Sequence, residues 1–472
     1  MTQANDPTQW PITKLSAEIS SGRLSPVDLI EAFLERIAAT DVKLNAFTEV
    51  YAKDARLAAQ AAEKAIRSGH AIGPLHGVPI AIKDLAEIEG RVTTGGCSQR
   101  KNRTSQYTAT LVQRLVSQGI IVLGKTHMVE FAYGGWGTNT GMGTPWNPWD
   151  PVVAHAPGGS SSGSAVAVAA GLAPWAVGTD TGGSVRVPAA WCGLTGLKTT
   201  AGRISNYGLL ALSPTLDTPG PMAWSVEDAN LLYQAMQGPD PHDRHTWGLP
   251  SADTSNALHR GIGGMRFARM PDSERSNIAS EVLEAYDRTL DELAGLGAKI
   301  APLELPGSFS DIASLNARIM SAESYALYAD LVDDLKLALD EDVRPRVLAG
   351  RDITSHQYLS ALSQRAELSR HFDQALAEFD ALLTPTTATT AVPLDAIDQS
   401  KAPTYMTRFA NFFDLCALAL PNGADSHGLP TSLQIIGHRF DESTVLRIGS
   451  AYQDATEWHT KRPPEPCTAD NF

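Results

Sequence analysis

Two Gly-Gly-Ser clusters, Gly158-Gly159-Ser160 and Gly182-Gly183-Ser184, bracket an Ala- and Val-rich run, and no other stretch restricts the chain so strongly. Paired glycines ahead of a serine open φ/ψ regions closed to other residues. A backbone so freed can aim several N–H groups at one point, which is what a developing oxyanion requires. Either cluster alone would pass for an ordinary Gly/Ser turn. Together, with Thr179-Asp180 before the second and Val185-Arg186 behind it, they describe a site. Upstream, Gly77-Val78 leads into Pro79-Ile80-Ala81-Ile82, a short buried strand that runs out at Lys83-Asp84. A lysine in that place could equally mark an exposed strand end.

These segments closely resemble the signature block of the amidase signature family of serine hydrolases, a likeness that runs from about residue 25 to about residue 455. The resemblance implies a nucleophile, Ser184, in the Gly-Gly-Ser-aliphatic-Arg run. It implies a second serine, Ser160, held by a cis peptide and relaying protons, and a basic partner, Lys83. The backbone N–H groups of Thr181, Gly182, Gly183 and Ser184 would receive the oxyanion. Asp180 and Arg186 would fix the loop through buried polar contacts, though taken singly either could be a surface charge. To act as a base, Lys83 must fall from about 10.4 toward roughly 7–8, which burial favours. Asp84 would oppose that fall if it paired with Lys83, so its carboxylate is expected to point away. The family needs no cofactor and no metal, and none is expected here.

The fold class expected is α/β: a single large domain over residues 1–472 whose mixed, largely parallel central sheet is covered by helices on both faces. The resemblance overrides the three domains that length alone would suggest. It divides the chain into a core from about residue 70 to 240, a variable helical region from about 240 to 400, and a return to the sheet from about 400 to 460. Ser25-Pro26 opens a helix whose Ile30, Phe33, Leu34 and Ile37 mark one buried face. Ser225 caps another to Met236, with Asp228 placed for a capping-box contact. The Gly-, Trp- and Asn-rich segment from Phe131 to Trp149 reads as a long loop, and Tyr133 and Trp136 in it are candidates to line a substrate pocket. Aromatic packing under that loop is the equal alternative. Acid pairs such as Asp333-Asp334 and Glu341-Asp342 read as solvated helix faces.

Two motifs imitate other chemistries. Gly119 to Thr126 matches the phosphate-loop pattern letter for letter, but Ile120 to Leu123 fills the loop with what reads as a strand. Gly159-Ser160-Ser161-Ser162-Gly163 matches a nucleophile elbow centred on Ser161, yet no buried strand precedes it. His127 and His155 are the histidines nearest the block, and both are expected to be structural.

A net charge of −14 makes nucleic acid and anionic membrane unsuitable direct partners. Cys97, Cys192, Cys416 and Cys467 show neither paired nor metal-ligand spacing, so reduced thiols and a cytoplasmic setting are expected. No signal peptide is read at the start, and the longest apolar segment, Ala165 to Val177, is broken by Gly171 and Pro174. A homodimer is left open. The expected activity is hydrolysis of a small-molecule carboxamide through an acyl-enzyme on Ser184. The rival within the family is the glutaminase subunit of a tRNA-dependent amidotransferase, which typically carries Gln where this chain has Val187. Val187 and the aromatic loop instead suggest an apolar or aryl acyl group. From other classes, an esterase built like the α/β-hydrolases and an inactive binding protein stand as alternatives.

Overall fold

Short apolar runs bounded by Gly and Pro become strands here, and longer runs with helical spacing become the layers packed on them. The computed structural model describes residues 6–465, so Cys467 and the first five residues lie outside the described part. Eleven strands are found among these residues: β1 (Phe47–Val50), β2 (Pro79–Lys83), β3 (Ile121–Thr126), β4 (Trp175–Asp180), β5 (Thr195–Lys198), β6 (Thr218–Ala223), β7 (Arg266–Arg269), β8 (Lys299–Pro302), β9 (Ala381–Pro385), β10 (Ala417–Ala424) and β11 (Pro430–Ile436). They form one sheet in the order β1-β3-β2-β4-β6-β5-β10-β11-β9-β7-β8, flanked by helices.

The balance of strand directions differs from expectation. Parallel pairing does join β2 to β3 and β4, and β7 to β8 and β9. The other six pairings are antiparallel. The sheet is therefore mixed, but it is not largely parallel. Its middle is built by strands that double back, such as the β10–β11 hairpin turned at Gly428, where φ is +83°.

Local signals are obeyed where they are strong. The Ser25 hydroxyl accepts the Val27 N–H at 3.0 Å, and the helix Pro26–Leu44 buries Ile30, Phe33, Leu34 and Ile37. Ser225 caps the helix Val226–Met236, but the Asp228 carboxylate turns to the Ile12 N–H at 3.0 Å, tying the N-terminal segment to the core. The phosphate-loop lookalike is strand β3, with Gly124 opposite Val50 and Lys125 opposite Glu49. No helix among the described residues is long and apolar enough to cross a membrane, and no His, Cys, Asp and Glu cluster there could hold a metal ion. Cys97, Cys192 and Cys416 are buried thiols.

Candidate active site

Because β2 and β4 run parallel, with Ile82 opposite Val177, their carboxyl ends meet on one edge of the sheet. Lys83 ends β2, and Thr179 and Asp180 end β4. Crevices at the carboxyl ends of such strands are where α/β sheets hold ligands. The first Gly-Gly-Ser cluster delivers Ser160 and Ser161 to the same edge, just ahead of the helix Ser162–Ala169. That helix contains only Ala, Val, Gly and Ser and is buried throughout.

Lys83 is wholly buried, and its Nζ donates to three hydroxyls: Ser160 Oγ at 2.8 Å, Thr179 Oγ1 at 2.9 Å and Ser161 Oγ at 3.0 Å. Burial pushes its pKa down to about 7, against the pull of the Asp217 and Asp180 carboxylates. Asp84 does point away. It pairs with the buried Lys125 at 3.2 Å and accepts the Thr94 hydroxyl at 2.5 Å. The lysine of the false phosphate loop is thus the counter-charge that keeps Asp84 off Lys83. The Gly159–Ser160 peptide bond is cis.

Ser184 lies across the loop, joined to this group by a 3.3 Å bond from the Ser161 N–H to its carbonyl. The Lys83–Ser160 link of the expected relay is therefore closed, while no hydrogen bond joins the Ser160 and Ser184 hydroxyls. Such contacts are often long without substrate and tighten in the complex. Ser161, the other possible nucleophile, is sealed: its hydroxyl is held by Lys83 and by the Thr179 backbone. No strand among the described residues leads directly into it, so the nucleophile-elbow geometry is missing.

Asp180 and Arg186 are both fully buried and form a two-pronged pair, Nη2 to Oδ1 at 2.8 Å and Nε to Oδ2 at 3.0 Å. Burial works to raise the Asp180 carboxyl, but the guanidinium outweighs it and holds the group well below the ordinary range. Arg186 also reaches the Thr407 carbonyl at 2.8 Å, Gln434 Oε1 at 2.5 Å and Asn411 Oδ1 at 2.7 Å. Asp180 in turn accepts the Gly183 N–H at 2.8 Å. Of the four N–H groups expected to meet an oxyanion, Gly183's is thus spent on the loop itself. Those of Thr181, Gly182 and Ser184 have no partner among the described residues. The Thr181 side chain is steadied by Asp217 at 2.5 Å.

Thr181, Gly182 and Ser184 open onto a cleft of about 340 Å³ that Tyr133 and Trp136 also line. Both aromatic residues serve packing as well. Tyr133 bonds to Ser321 at 2.7 Å, and Trp136 stacks on Trp191 in an apolar cluster that encloses Val187. His127 is buried and pushed down to about 4, and the His155 ring meets the Val153 carbonyl at 3.0 Å; neither touches Lys83, Ser160 or Ser184. Asn411, Gln434 and Asp217 escaped the sequence reading, since nothing near them in the chain marks them, and Thr179 was noted as a flank of the second cluster but not as a partner of Lys83. Ser161 was weighed only as a nucleophile and set aside, and its bond to Lys83 was not foreseen.

A protein-family model described as amidase matches residues 28–446. The chain is 37% identical over 478 residues to a glutamyl-tRNA(Gln) amidotransferase subunit from Chloroflexus aurantiacus, covering 96% of this chain and 98% of that one. Its fold is similar to the native peptide amidase of Stenotrophomonas maltophilia, with a TM-score of 0.85 at 30% identity over 97% of this chain and 98% of that one. It is also similar, with a TM-score of 0.88 at 32% identity over 94% and 98% of the two chains, to a protein from a vestigial complex bearing on the origins of an s-triazine catabolic enzyme.

Proposed function

The chain belongs to the amidase family, and from that premise we propose that it cleaves a carboxamide C–N bond by acyl transfer to Ser184. Ser184 Oγ attacks the carbonyl carbon, and its proton passes through Ser160 to neutral Lys83. The carbonyl oxygen, now negative, is received by the N–H groups of Thr181, Gly182 and Ser184. Gly183 contributes by fixing the loop on Asp180. As the C–N bond breaks, the proton returns along the same path to the departing nitrogen. Water then attacks the acyl-enzyme by the reverse relay.

The observation that carries this reading is the environment of Lys83: sealed, bonded only to hydroxyls, and pushed down to about 7. A base of that pKa is suited to proton transfer near neutral pH. A fluorophosphonate probe tests it. Labelling should map to Ser184 and vanish in Ser184→Ala, with the fold retained. An adduct on Ser161 would overturn the assignment.

The second reading, the glutaminase subunit of a tRNA-dependent amidotransferase, is supported by the name of the Chloroflexus aurantiacus relative and by the nearly complete overlap with it. It uses the same Ser184 chemistry with glutamine as ammonia donor, and it calls for partner subunits. Hydrolysis of free glutamine that rises on adding such subunits and glutamylated tRNA would select it over a stand-alone amidase.

A further inference from the structure

The cleft beside Ser184 carries charge of one sign. The whole chain has a net charge of −14, yet Arg346, Lys401 and Arg408 line this cleft and no Asp or Glu among the described residues does. Two of the three cations are occupied. Lys401 lies 3.6 Å from Asp398, and Arg346 donates to the Tyr133 carbonyl at 2.9 Å and to Gln399 Oε1 at 2.7 Å.

Arg408 is differently placed. Among the described residues its side chain makes one hydrogen bond, a long one from Nη1 to the Ala313 carbonyl at 3.3 Å. Its Nε is shut off from solvent and has no partner, and no carboxylate pairs with it among the described residues. Close by, Asn316 on the helix Phe309–Val332 is completely buried, with neither amide oxygen nor amide nitrogen hydrogen-bonded. Gly182 shows where these groups converge. A Cβ added there would stand 3.2 Å from Arg408 Cγ, 3.6 Å from its Nε and 3.8 Å from Asn316 Oδ1. Unspent hydrogen-bonding capacity thus gathers against the loop that carries the nucleophile.

Buried polar groups without partners are costly, and an uncompensated guanidinium more so. A planar fork of N–H donors is matched by a carboxylate, which accepts two of them at once. We propose that Arg408, with the unpartnered Asn316 beside the same loop, binds a carboxylate carried by the substrate, so that Ser184 acts on monoamides whose far end is an acid. The proposal rests on the reading of Ser184 given above. It competes with the apolar or aryl acyl group expected from Val187 and the aromatic loop: Tyr133 and Trp136 do line the cleft, whereas Val187 is enclosed with Trp136 and Trp191 in an apolar cluster and does not.

Matched substrates test it on the full chain: the terminal monoamides succinamate, glutaramate and adipamate against neutral amides of equal length that lack the carboxylate. At least one acid should exceed its neutral partner in kcat/KM by about ten- to a hundredfold, the value of a charge-assisted hydrogen bond. Arg408→Gln should erase that preference through KM, Arg408→Lys should keep part of it, and Asn316→Asp should reduce it by giving the guanidinium an internal partner. Glutarate and its homologues should also slow fluorophosphonate labelling of Ser184 in the wild type and not in Arg408→Gln, a readout independent of turnover. Equal rates for acid and neutral partners, or no protection by any diacid while Ser184 still labels, would overturn the carboxylate site and leave the nucleophile standing. Failure of Ser184 to label at all would remove both.

Discussion

An amine sealed inside a protein must find a counter-charge or give up its proton, and Lys83 has only hydroxyls in contact. Its role as base is separable from a role as charge. Arginine keeps the charge but cannot deprotonate in a protein, so Lys83→Arg should lose about 10²–10⁴-fold in kcat, nearly as much as Lys83→Ala. The wild-type rate should climb with pH through about 7, and both variants should lose that limb. Stability carries the same signature. Between about 7 and the ordinary 10.5 the unfolded chain holds a proton that folded Lys83 has shed, so stability from this position rises with pH across that window. Lys83→Met should therefore gain on the wild type by about 2–3 kcal/mol more at pH 6 than at pH 9 in urea unfolding. At this scale the sequence was legible where a placement is written in neighbouring letters: Lys83 at a strand end, and Ser160 and Ser184 after their glycines. Arg408 and Asn316 were not legible, because their meaning comes only from segments that the fold brings beside them.

Between residue and fold stands the loop after β4, anchored by the buried Asp180–Arg186 pair to Thr407, Asn411 and Gln434. Asp180→Asn should destabilise the protein by about 3–5 kcal/mol, because it strands the buried guanidinium. Adding Arg186→Met to it should recover part of that loss, and denaturant midpoints will decide. A gentler change strikes function first. Gly183 has φ +132°, and a Cβ there would overlap the Thr407 hydroxyl. Gly183→Ala should then cost about 10²–10³-fold in kcat by tilting the oxyanion donors, measured with the same amide substrates. Elements with local punctuation, such as Pro26–Leu44 and β2, were readable from caps and periodicity. The antiparallel majority of the sheet was not, since strand direction is settled by which strand each run pairs with, from the adjacent β10–β11 hairpin to the distant β5–β10 pair, and no single run encodes its partner.

Across the whole molecule, the chain does not complete its sheet in the order in which it is written. The strands β10 and β11, from the last fifth of the sequence, lie between β5 and β9 and supply both edges that would otherwise be unpaired. A chain ending at residue 400 should therefore fail to fold, with circular dichroism and solubility as the readout, whereas removal of an edge strand such as β8 should be better tolerated. Time enters here as well. At roughly 5–20 residues per second on the ribosome, the nucleophile's loop emerges long before Asn411 and Gln434 arrive to anchor it. For that interval the nascent chain holds every side chain of the proposed relay but not the contacts that anchor its loop. If Ser184 is the nucleophile, hydrolytic competence should thus arise only near the end of translation, and an interrupted chain should be a silent one.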